Sequence, residues 1–250
     1  MMDSPIPATT GSVGSAEPQP DGRIKGAARV QRLSGSTLLL SGLLAGAAAV
    51  LQAAAWPPST SDELPRWTES HHLALALVDE CLVIGAVLLA VSVPGLWQGL
   101  DARRRPGIAT GVALIALTTP VSVVLGVVFG RLVYPAYGIA VADDPQTLAL
   151  VVTTWAGAAH AVSLVLMVAG LAIGVAMIRD REDSTALGVL GVAAGGAQFI
   201  AAYPWLFPIA VVTGCQIVLA AWFAGIGMSL LLRARQRLVT HHTARASSRR

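Results

Sequence analysis

Two adjacent carboxylates, Asp79 and Glu80, interrupt the otherwise uncharged apolar run Leu73–Trp97, and one histidine, His160, interrupts the run Thr147–Ile178. An ionised carboxylate at the centre of a bilayer helix costs about 3 kcal/mol on insertion scales, so acids in such a run call for solvation, protonation or a function. At about 1.5 Å per residue the two acids lie about 9–11 Å inside one end of their run, and His160 lies about 8 Å beyond Trp155. A carboxylate and an imidazole at matched depth could share a proton, the chemistry of a pH-responsive switch or a proton-coupled carrier. Glu69, His72 and Asp79 stand at i, i+3 and i+10, near one face of a helix that begins early enough, so Glu69 and His72 join the candidate proton or substrate site. Glu80 is turned by about 100° from Asp79 toward another neighbour. The plainer alternative is a boundary pair of acids within reach of water and a histidine bonded to a neighbouring helix.

Other chemistries find less support. His72 and His160 could flank a haem, and Glu69, His71, His72 and His160 could gather a metal, yet no CxxC, CxxCH or HExxH pattern is present. No metal or cofactor is therefore expected, and a redox or haem protein is the third reading. Cys81 and Cys215 are read as two separate apolar thiols, although a disulfide between them is geometrically open. No P-loop, GxSxG elbow, dinucleotide fingerprint or kinase signature occurs, so an enzyme is not expected and no catalytic residue is assigned.

The elements that must position these residues follow from composition. Of 250 residues 54% are hydrophobic and only 12% charged, with mean hydropathy +0.66, whereas a soluble domain carries roughly 25% charge. The expectation is an all-α polytopic membrane bundle of six transmembrane helices, at about 34–56, 73–97, 108–130, 147–178, 185–203 and 209–232. The fourth run is about 48 Å as a straight helix against a hydrocarbon core of about 30 Å, so it must tilt or protrude. Residues 1–33 read as a disordered arm, 56–72 and 131–146 as polar loops, and 233–250 as a basic tail.

Fifteen of the seventeen Lys and Arg residues fall in alternate segments when both termini are placed in the cytoplasm; only Arg66 and Arg131 fall outside. Arg131 is expected to snorkel to the headgroups. Arg103, Arg104, Arg105, Arg233, Arg235 and Arg237 are read as contacts to anionic lipid headgroups. Trp56, Trp67, Tyr134, Tyr137, Trp155, Tyr203 and Trp205 mark one interface and Trp97 the other. Sixteen arginines against one lysine, with abundant Ala and Gly, suggest a GC-rich bacterial genome and hence a bacterial plasma membrane. Residues 23–55 also have the look of a signal peptide, which would leave five spans, but the apolar stretch exceeds the usual 7–15 residues.

Helices in lipid associate through small residues and interhelical hydrogen bonds. Gly42/Gly46, Gly126/Gly130, Gly170/Gly174 and Gly191/Gly195 have the GxxxG spacing and are read as packing sites, and Gln198 and Gln216 as interhelical bonds. The expected partners are the bilayer, anionic headgroups and a second copy or another membrane protein; nucleic acid is not among them. The first functional expectation is a non-enzymatic structural, sensory or partner-binding membrane component. The alternative is a small proton-coupled transporter or permease using Asp79, Glu80 and His160, and the two are separated by whether one polar cavity reaches all three.

Overall fold

The structure, a computed structural model, describes residues 20–135, 144–180 and 184–247, of which 20–25 and 238–247 are followed as backbone only. It is all-α: no strand occurs among the described residues. The helices are α1 (Pro20–Ala54), α2 (Leu64–Ser70), α3 (His72–Gly99), α4 (Pro106–Gly130), α5 (Pro145–Arg179), α6 (Thr185–Ala201) and α7 (Ile209–Ser247), with a short 3-10 turn at Ser61–Glu63.

Local chemistry sets several of these ends. Asp144 caps α5 by accepting from the amides of Gln146 at 3.3 Å and Thr147 at 3.1 Å and from the Thr147 hydroxyl, with Pro145 in the first turn, where its missing N–H costs nothing. Those bonds hold the Asp144 carboxyl below its ordinary value of 3.8, the Thr147 hydroxyl first. Ser184 caps α6 through the Leu187 amide. Beyond α3, Asp101 takes φ 50°, the left-handed conformation that Asp tolerates better than most side chains. Inside α3, Pro94 disturbs the backbone ladder, and the Ser34 hydroxyl of α1 steps in, accepting from Gly95 N at 3.1 Å and donating to Val91 O at 3.5 Å.

Six helices pack in a closed ring in the order α1, α3, α4, α5, α6, α7, with α7 returning against α1. Glycines set the close approaches. A β-carbon added at Gly170 would stand 3.0 Å from Gly191 O and Gly195 N, and one at Gly174 would stand 2.7 Å from Gly188 O, so the paired glycines of α5 and α6 face each other. Gly42 lies against the Ala220 and Ala224 backbone, while Gly46 meets only the Ala220 methyl at 3.5 Å. Gly35 and Gly227, which form no GxxxG pair, make a second close crossing of α1 on α7. At the arginine-rich end Arg105 pairs with Asp180 at 2.7 Å, Arg104 with Asp101 at 3.7 Å, and Arg233 donates to Gly99 O at 3.3 Å. Of the arginines assigned to headgroups, these three thus have protein partners, while Arg103, Arg235 and Arg237 are exposed.

Polarity runs inside out. Ser34, Ser41, Ser92, Ser163 and Gln198 are buried, whereas Leu43, Val124, Val127 and Leu150 are each about 60% exposed. Among the described residues five stretches are long and apolar enough to cross a membrane: Gly26–Ala54, His72–Gly99, Pro106–Gly130, Pro145–Arg179 and Ile209–Arg237. Helix α6 is apolar but has 17 residues, about 26 Å.

Three expectations need correction. Helix α1 starts at Pro20, so residues 20–33 are its first turns rather than arm; few helix breakers follow Pro20, and helices carry past the apolar boundary when their backbone can stay bonded. Residues 56–72 are no plain polar loop, because α2 buries Leu64 and Trp67 against Leu75, Phe129 and Leu148. Trp67 is consequently 7% exposed, packed in protein instead of standing in an interface. The bases and acids at 181–183, Tyr137 and Asp143 lie outside the described residues.

Candidate functional site

Asp79 is buried in the seam between α3 and α4, where the missing side chain of Gly130 makes room: a β-carbon there would stand 2.8 Å from Asp79 Oδ2. Its Oδ1 is buried with no hydrogen-bond partner. Glu80, one residue on, is exposed and accepts from the Tyr134 hydroxyl at 3.4 Å. Desolvation first, and then the Glu80 carboxylate, pushes the Tyr134 phenol above its ordinary 10.0. Glu69 and His72 do not continue this face. The chain breaks at His71, whose φ of −112° and ψ of 14° leave the helical region, so Glu69 stays in the last turn of α2 and His72 begins α3, both exposed while Asp79 is buried.

His160 belongs to a different corner. Its Nδ1 lies 2.7 Å from Ala202 O, and its ring meets Tyr203 edge-on at 5.0 Å and Trp205 at 5.8 Å. A carbonyl only accepts, so Nδ1 carries the proton, and in the neutral ring Nε2 is an acceptor. The histidine therefore ties α5 to the end of α6, whereas the carboxylates face α4 and the segment after it.

The ring helices line a partly open cavity of about 180 Å³. Each ring helix contributes a polar or thiol group to its wall: Ser41, Cys81, Ser122, Ser163, Gln198 and Gln216. A second chamber of about 60 Å³, reaching His160 and Thr213, shares Gln52, Trp155, Ser163 and Gln216 with the first, so the two adjoin. Neither chamber is lined by Asp79, by Glu80 or by any other Asp, Glu, Lys or Arg among the described residues. Gln198 donates through Nε2 to Gln216 Oε1 at 3.4 Å, the interhelical bond expected from sequence, but its own Oε1 is buried without a partner. Ser41 is already committed to Gly85 O at 2.9 Å.

Among the described residues no group of three or more His, Cys, Asp or Glu side chains could hold a metal ion, and both cysteines are free. His71 is engaged with Trp67 O at 3.0 Å and the Ser70 hydroxyl at 2.9 Å. Sequence reading passed over Gln52, Ser163 and Thr213 as wall residues. Ser163 was within reach, since it follows His160 by three positions and shares its face. Comparison with family models, curated proteins and solved structures found no match.

Proposed function

We propose that this chain is a non-enzymatic membrane protein of a bacterial plasma membrane, crossing six times with both ends cytoplasmic, and that its work is sensory or partner-binding. The inside-out polarity supports the membrane placement: uncharged polar groups point inward and large apolar side chains cover the outside. In this reading α6 is the sixth crossing, its short length made up by residues beyond its ends, and α1, seated between α3 and α7, is retained. Cysteines placed at Ser15 and Ser248 would then react with an impermeant maleimide only after cells are opened. Labelling of intact cells at either position overturns the topology.

The separation of the ionisable groups carries the choice against proton coupling. Asp79 sits in the α3–α4 seam, His160 is tied to Ala202, and the chambers between them present no carboxylate. Proteoliposomes holding an imposed pH gradient should keep it as long as protein-free vesicles do. A leak removed by Asp79→Asn or His160→Asn would instead establish the proton-coupled carrier. A permease for an uncharged solute is the second reading, favoured by the two chambers themselves.

A further inference from the structure

We propose that the two adjoining chambers form a binding site for one small uncharged molecule with an apolar body and a hydroxyl donor, an alcohol or a phenol, met by Gln198 Oε1 or His160 Nε2. This goes beyond the sensory reading and holds whether the molecule is retained or passed on.

Size excludes most occupants. Sites for drug-sized ligands run to about 300–1,000 Å³, whereas an apolar cavity of about 150 Å³ holds one benzene. The larger chamber, about 180 Å³ and only partly closed, therefore suits a single ring or a short chain within its walls. Charge excludes others. With no acid, lysine or arginine among the described residues of either wall, an ion entering would leave its hydration shell with no compensating charge there. Trp155, Leu166, Leu219 and Phe223 supply an apolar surface for the body of the ligand.

The polar groups then set the chemistry. Gln198 is fully buried; its Nε2 gives one of its two protons to Gln216, and its Oε1, with no partner, calls for a donor. His160 lines the second chamber, and with its Nδ1 proton given to Ala202 O the Nε2 of the neutral ring is an acceptor. Thr213 adds a buried hydroxyl with no partner beside it. Two acceptors in an uncharged, mainly apolar wall favour a ligand that donates, the Thr213 hydroxyl can give or take a bond beside them, and a plain hydrocarbon would leave all three unmet.

The test uses the full-length protein in lipid nanodiscs, with para-fluorophenol and para-fluorotoluene as probes, read by fluorine NMR against empty nanodiscs. The two probes are nearly isosteric and differ in the donor. The phenol should bind saturably, about tenfold tighter than the toluene, with that preference lost in Gln198→Leu or in His160→Phe, according to which acceptor meets the hydroxyl. Ala159→Leu, which fills the wall shared by both chambers, should abolish saturation, and Ala49→Leu fills it from α1 should the first variant fail to fold. Linear partitioning of both probes into the wild-type nanodiscs, equal affinities for the two, or unchanged phenol binding in a folded filled variant would each overturn the proposal. The wild-type comparison needs no variant and decides the matter even if both substitutions unfold the protein.

Discussion

His160 Nδ1 lies 2.7 Å from the carbonyl oxygen of Ala202, the first residue beyond α6. Replacing the imidazole with Asn keeps an N–H donor near that carbonyl, whereas Phe keeps the bulk and removes the donor. His160→Phe should cost about 1–3 kcal/mol and His160→Asn clearly less, as measured by denaturant unfolding in detergent micelles. Equal stabilities for the two variants would show that the bond contributes nothing.

The α5–α6 crossing should be the least forgiving of added volume. Gly170→Leu would push its side chain into the Gly191 carbonyl and the Gly195 amide, 3.0 Å away at the β-carbon alone, and should destabilise by at least about 2 kcal/mol. Gly157 lies in the same helix with nothing within 4 Å of its added β-carbon, so Gly157→Ala should raise stability by about 0.5–1 kcal/mol. Thermal unfolding followed by size exclusion reads both, and a harmless Gly170→Leu would contradict the packing.

Gln198 and Gln216 should answer substitution unequally. Gln216→Leu leaves both ends of the fully buried Gln198 amide unmet and should cost about 1–3 kcal/mol. Gln198→Leu removes that buried amide and frees the half-buried Gln216, so it should be near neutral. The reverse order in chemical denaturation would mean that Gln198 has a partner other than Gln216.

Asp144 gives a pH dependence with a definite sign. Its carboxyl is lowered in the folded chain by the Thr147 hydroxyl and then by the Gln146 and Thr147 amides. Its stabilisation is complete above the ordinary value of 3.8 and is lost as pH falls through the lowered value. The melting difference between the wild type and Asp144→Ala should be flat at neutral pH and shrink under strong acid. A difference that grows on acidification has the wrong sign for a cap.

The helical runs were legible because hydrocarbon tolerates almost no charge, so Arg103–Arg105, Asp180 and the Trp56–His72 stretch bracket apolar segments plainly. The ends were less so. Nothing in the composition of residues 20–33 or 233–247 says whether a polar stretch continues a helix, since continuation depends on the backbone ladder more than on side chains. Matched depth suggested a meeting of Asp79 and His160, but depth is one coordinate of three, and the ring order places α4 between α3 and α5. Gln198 and Gln216 were each legible as interhelical hydrogen-bonders, because a polar amide in lipid must bond to something, and the structure pairs them with one another. The chambers had no signature, for a cavity is made by what Ala45, Ala48, Ala49 and Ala159 leave unfilled.

The ring closes where α7 meets α1, through Gly35 against Gly227 and Gly42 against Ala220 and Ala224. During synthesis α1 emerges first and its partner last, so this seam stays open until the ribosome has delivered residues 209–231. For that interval the small-residue stripe of α1 has only lipid or the insertion machinery to cover it. Nascent chains stalled before Ile209 should therefore remain cross-linkable, through α1, to whatever shelters unfinished bundles.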